Sequence, residues 1–174
     1  MLVPLNKHCV KGTVMTQNEL KEILHYEPNT GMFTWLISKG NIKAGDVAGS
    51  HGKHNHLYIK INNKNCYLHR LAWLYVYGKF PINMIDHING IAEDNRIDNL
   101  RDVTNTINQH NQKTAHVNSK SGLIGACWNK QNKAWKAQIT HQGKVIYLGL
   151  YKTAQLAHEA YLTAKRKLHS GCTI

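Results

Sequence analysis

The chain has 174 residues, with 22 Lys and Arg against 10 Asp and Glu, for a formal charge of +12. That length allows one domain or two small ones, and a 42% apolar share with four Trp excludes a chain disordered by composition. No apolar run approaches the ~18 residues of a membrane span, and no compact apolar core with a cleavage site opens the chain. We therefore expect a soluble, cytoplasmic protein with no membrane partner.

In chain order, Thr16-Gln17-Asn18-Glu19 reads as a capping box, with Leu20, Ile23 and Leu24 at helical spacing behind it. That helix should run on to stop before Pro28, where Pro28-Asn29-Thr30-Gly31 reads as a turn. Met32–Trp35 reads as a short strand and residues 38–55 as a loop. His56–Ile61, Asn62-Asn63 and Lys64–Leu68 form a hairpin pattern, and His69–Tyr77 an apolar helix ended by Gly78 and Pro81. Ile82–Ile88 reads as a strand, Asn89-Gly90 as a turn, and Asn99–Val103 as a second strand. Thr104 can cap a helix running to about Thr114, and Asn118–Gly122 reads as a linker. Three strands follow, Leu123–Trp128, Ala134–His141 and Lys144–Leu150. The last helix is capped by Thr153 and has Ala157, Ala160, Tyr161, Ala164 and Leu168 on one face.

Charge is unevenly placed along this order. Residues 1–85 carry ten basic and four acidic side chains, residues 86–112 two and five, and residues 113–174 ten and one. Basic arms around an acidic centre suit a protein that grips a polyanion and holds a cation at one point on it. The four cysteines, Cys9, Cys66, Cys127 and Cys172, form no close pair, which argues against a zinc knuckle and a disulfide framework.

The informative set is Asp86-His87, Asn99 and Asn108. A strand–loop–strand–helix path can fold Asp86 towards Asn108, presenting two oxygen ligands to one hard cation, magnesium or manganese. Neighbours on a strand point to opposite faces, so His87 can stand clear of that ion and take a proton from a separate water. This reading needs His87 open to water. His110 sits about 200° round the helix from Asn108, so the two should not face one ion.

Asp86-His87, Asn99 and Asn108 resemble the HNH (ββα-metal) nuclease motif. The wider stretch from His69-Arg70-Leu71-Ala72-Trp73 to Asn99-Leu100-Arg101 is similar to phage HNH homing-type endonucleases. The resemblance implies Asp86 and Asn108 as metal ligands and His87 as general base. It implies that Asn99 hydrogen-bonds across the loop to orient His87. It also implies one divalent metal per site and cleavage of double-stranded DNA to 5′-phosphate and 3′-hydroxyl ends. Asn108 stands where many members have His, which favours magnesium or manganese over zinc or nickel. His69 either contacts phosphate or is structural, and Arg70 and Arg96 either clamp phosphates or sit on the surface. His51, His54 and His56 read as a loop rather than a metal site.

Residues 122–171 resemble the Apetala-type, ethylene-response-factor DNA-binding domain, through Gly122–Trp128, Trp135–Ile139, Tyr147–Ala154 and Ala157–Tyr161. Its expected DNA face carries Trp128, Lys130, Lys133, Lys136, Gln138 and Thr140, with Lys144 nearby, while Trp135 and Tyr161 are assigned to the core. That family relies on Arg where this chain has Lys, Gln and Thr, so phosphate contact is expected ahead of base readout.

The expected fold is α+β, a small ββα-metal unit plus a three-stranded antiparallel sheet on one helix. The expected divisions are an accessory region (1–68), an HNH core (69–115), a linker (116–121) and a DNA-binding module (122–174). We expect an endonuclease that acts as a monomer on DNA and either nicks or cuts both strands. The alternative is a non-catalytic, sequence-preferring DNA-binding regulator.

Overall fold

The computed structural model describes residues 15–174; Cys9 and the opening segment read for a leader lie outside them. The described residues are mixed α and β, with small antiparallel sheets, and they divide into two compact units that part between residues 105 and 106. The division falls within the stretch expected as the nuclease core, at the first residue of its last helix.

In the first unit, α1 (Gln17–Ile23) starts where the capping box predicts. Glu19 N–H donates to Thr16 Oγ1 at 3.3 Å, and Thr16 N–H donates to a Glu19 carboxylate oxygen at 2.7 Å. The helix ends earlier than expected, because Leu24 opens a strand. β1 (Leu24–Glu27) pairs antiparallel with β2 (Met32–Trp35) around the Gly31 turn, in the register Leu24 to Trp35. Leu24 and Tyr26 are buried and His25 is exposed, so a two-residue period overrides helix propagation here.

The expected loop at 38–55 holds two short strands, β3 (Val47–Ala48) and β4 (Ser50–His51). The hairpin follows as β5 (Leu57–Ile61) and β6 (Lys64–Tyr67), turning through Asn62 and Asn63, both at positive φ. α2 (Leu68–Tyr77) ends at Gly78 in the left-handed conformation. Its Leu68, Leu71, Ala72 and Leu74 meet Leu20, Leu24, Tyr26 and Phe33 in one core. Each of the larger side chains contributes about 1.5–3 kcal/mol by leaving water. Ile85 and Leu100 join that core from β7 (Met84–His87) and β8 (Leu100–Val103), which fixes the β7–β8 ribbon on its scaffold.

The second unit takes in all but the first residue of α3 (Asn105–His110), a helix shorter than the sequence suggests. Five of its six side chains are polar and none is buried, so little packing extends it. β9 (Ala126–Asn129), β10 (Ala134–His141) and β11 (Lys144–Tyr151) form an antiparallel sheet with β10 in the centre. β9 begins later than expected because Gly125 turns at φ +78, with the Tyr161 ring directly against it. α4 (Ala154–Leu168) is capped by Thr153, whose hydroxyl accepts from Leu156 N–H at 3.2 Å. The core here is small: Ala126, Ala137 and Ala157, flanked by Leu123, Trp135, Leu148, Tyr151, Ala154 and Ala160. Tyr161 is half-buried rather than central.

Candidate active site

Asp86 and His87 end β7, and the ladder decides what they meet. Asp86 lies directly opposite Arg101 on β8, so the two side chains share a face. Arg101 donates from Nε and Nη2 to Asp86 Oδ2, at 2.7 and 2.6 Å. Asp102, one residue on, accepts from the backbone N–H groups of Ile82 and Asn83 and so anchors the approach to β7. Arg70 donates to the carbonyls of Pro81 and Asn83, both at 3.3 Å. Those bonds tie α2 to the same approach.

His87 points the other way, as strand alternation requires. Its ring lies 5.3 Å from that of His69 and 5.5 Å from that of His56. Its Nε2 is 3.2 Å from Asn95 Oδ1. The imidazole is only 5% exposed, so the expectation of a ring open to water is corrected: it is walled by two imidazoles and an amide. Burial holds its pKa below the ordinary histidine value, with Asn95 and Asp86 pulling upward. His87 is therefore neutral near pH 7, the protonation state a general base needs.

Asn99 spans the loop between the strands. Its Oδ1 accepts from Asn89 N–H at 3.0 Å and its Nδ2 donates to Asp94 carbonyl at 2.8 Å. Asn95, not Asn99, bonds the His87 ring, while Asn99 holds the backbone just after His87, its carbonyl accepting from Ile88 N–H at 2.9 Å. Arg96 is paired to Asp94 at 2.6 Å, and these bonds hold the Asp94 carboxyl down at about 2. The Arg96 side chain itself is half exposed. From outside the loop, the Tyr26 hydroxyl donates to Asn95 carbonyl at 2.7 Å, and Gly31 lies against the Asn95–Arg96 backbone. The β1–β2 hairpin thus props the Asn95 loop, a task that no motif in the N-terminal region announces.

His69 is buried at 7% exposure, which corrects the option of a phosphate contact. Burial, then His87, His56 and Arg70, push its pKa down from 6.5 to about 2. An unfolded His69 binds its proton at the ordinary value, so the unfolded chain holds more protons between those limits. Stability is then full above pH 6.5 and falls as the pH drops below it, by up to ~1.4 kcal/mol per pH unit from this residue. Urea melts of the wild type between pH 6.5 and 5 should fall more steeply than those of His69→Gln. Parallel pH dependence would contradict that burial.

Asn108 lies on α3, in the second unit. His110 stacks on His169 at 3.9 Å between ring centroids, within that same unit. On the sheet, Lys136, Gln138 and Thr140 alternate with buried Ala137 and Ile139, so they lie on the face away from the core. Trp128 does not join them. It pairs directly with Trp135 across β9 and β10, 5.2 Å ring to ring, which puts it on the core side of the sheet edge and corrects its assignment to the outer face. Lys130, Lys133 and Lys144 are exposed at the ends of the strands.

Residues 66–110 match the family model described as HNH endonuclease. That stretch holds Asp86, His87, Asn95, Asn99 and Asn108, and it supports a nuclease class for the site. The chain is also 36% identical over 77 residues to Protein 3.8 of Escherichia phage T7, an alignment covering 44% of this chain and 63% of that relative. No solved structure matches at a significant level. Residues beyond 110, including the sheet of the second unit, lie outside the family match. Among the described residues, no helix is long and apolar enough to cross a membrane.

Proposed function

We propose that the protein is a metal-dependent DNA endonuclease of the HNH homing type. The observation that carries this reading is the Asp86-His87 pair inside the family match, with a carboxylate held on one face of β7 and a neutral imidazole on the other. By the family resemblance, the ligands of a hard cation would be Asp86, through a carboxylate oxygen, and Asn108, through its amide oxygen. Magnesium or manganese held by these two would supply electrostatic stabilisation of the phosphate and of the leaving 3′ oxygen.

In this reading, His87 takes a proton from water. If its Nε2–H is given to Asn95 Oδ1, then Nδ1 is the accepting nitrogen. Base catalysis needs only one water to reach the ring, which is 5% exposed. Asn95 fixes the tautomer, and Asn99, Tyr26 and Gly31 fix Asn95. Arg101 orients the buried Asp86 carboxylate through its two hydrogen bonds to Oδ2. The products are 5′-phosphate and 3′-hydroxyl ends. A monomer with one such centre nicks double-stranded DNA, and a double-strand break takes a second event.

The second unit extends the grip in this proposal. Its resemblance to the Apetala-type domain assigns Lys136, Gln138 and Thr140, with Lys130, Lys133 and Lys144, to the DNA face. Tyr147, opposite Gln138 and 59% exposed, lies on that same face. Lys136→Ala should weaken binding and lower the slope of log affinity against log salt by about one. An unchanged slope removes Lys136 from the interface.

The ligand pair is tested by Asp86→Ala and Asn108→Ala. Each should lose magnesium-supported cleavage while still retarding DNA in a gel, and full cleavage by either variant contradicts the pair. The burial of His87 favours a second reading, in which the HNH unit is the scaffold of a non-catalytic DNA-binding regulator. That reading predicts retardation of DNA by the wild type with no cleavage at any magnesium or manganese concentration.

A further inference from the structure

We propose that His56, His69 and His87 form a second metal site, of the soft-ligand kind, and that zinc bound there shuts off the nuclease by occupying its base. The three residues come from separate parts of the first unit: His56 just before β5, His69 in the first turn of α2, and His87 at the end of β7. One ligand nitrogen from each lies within 4.8 Å of the other two. Two nitrogens on a tetrahedral zinc stand roughly 3.3 Å apart, given zinc–nitrogen bonds of about 2.0–2.1 Å, so small rotations of the rings close the set. The ring centroids are 5.0, 5.3 and 5.5 Å apart, so the three rings surround one point.

An independent observation points to a ligand. His69 Nδ1 is buried and has no hydrogen-bond partner. A buried polar atom left in that state is destabilising, and a metal bond would offset the loss. The chemistry selects the ion. Three imidazoles and one water make a usual zinc environment, whereas magnesium prefers oxygen. The site is therefore distinct in kind from the oxygen pair Asp86 and Asn108. The inhibitory consequence rests on the nuclease reading, since a ring nitrogen bonded to zinc no longer accepts a proton from water. The binding itself does not rest on that reading.

The test uses the full chain. Wild type, His56→Ala and His69→Gln are loaded with zinc, desalted into magnesium buffer and analysed for metal, with circular dichroism to compare their folds. The wild type should retain one zinc per chain. Each variant should bind it at least about tenfold more weakly, since loss of a ligand costs no less than loss of a ligand's outer partner. Cobalt in place of zinc should give the strong visible absorption of a four-coordinate ion in the wild type and lose it in His56→Ala. No retained zinc, or equal retention in both variants, overturns the site. For activity, one equivalent of zinc should stop magnesium-supported cleavage by the wild type, and His56→Ala should keep cutting at that dose. Undiminished cleavage by the zinc-loaded wild type overturns the inhibition. A wild type that holds zinc but never cleaves in magnesium defeats the nuclease reading and the inhibition and leaves the binding site standing.

Discussion

His87→Ala removes strand cleavage and leaves DNA binding in place. A positioned general base contributes about 10²–10⁴-fold, so the cleavage rate should fall by that factor while the gel-shift midpoint stays put. The separation is expected because His87 is buried against His56, His69 and Asn95 and presents almost no surface for DNA to touch. The pH profile carries a second signature. Burial lowers the His87 pKa, so the neutral base persists below pH 6.5, and the acid limb of the rate should lie on the acid side of that value. A limb centred above 6.5, or equal loss of binding and cleavage in His87→Ala, would count against the base role.

Gly31→Ala should be among the most damaging small substitutions in the first unit. Gly31 has φ +74, where a side chain is strained. A Cβ there would also meet the backbone nitrogen of Arg96 and come within 2.6 Å of Asn95 C. Backbone cannot rotate away as a side chain can, so either the β1–β2 turn or the Asn95 loop must move. Gly40 is a matched control, with φ +60 and nothing within 4 Å of its added Cβ. Both changes carry the conformational cost, and only Gly31→Ala adds the collision. It should lower stability by about 2 kcal/mol more than Gly40→Ala, in line with the cost of overpacking. It should also reduce cleavage, because Asn95 is displaced from His87. Equal urea midpoints for the two variants would mean that the hairpin does not support the loop.

Much of this was legible in residue order, for reasons that differ by segment. β2 and β10 fall on the expected residues because their alternation is clean and turn residues bound them. The capping box at Thr16 and the cap at Thr153 were readable because each is a local arrangement within four residues. Asp86 and His87 at the end of a strand followed from the apolar run before them and Asn89-Gly90 after. What escaped was tertiary. Leu24 continues a helical spacing as well as it begins a strand, and only pairing with Trp35 decides. Asn95 sits in a polar loop with no period, so its place beside His87 depends on Asn99, Tyr26 and Gly31 holding that loop. His56 reads as one of three loop histidines, yet its ring meets His69 and His87 through the packing of β5 and α2. The family resemblance groups Trp128 with Lys136, whereas register pairs it with Trp135. Arg101 could have been found: once Asp86 and Arg101 are placed on antiparallel strands, direct opposition pairs them.

The central claim is tested most directly by incubating supercoiled plasmid with the full chain in magnesium or manganese, alongside a chelator control. The account predicts metal-dependent conversion to nicked circles that DNA ligase reseals without further treatment, since the ends carry 5′-phosphate and 3′-hydroxyl groups. Plasmid that stays supercoiled in both metals while the protein still retards it in a gel would contradict the account.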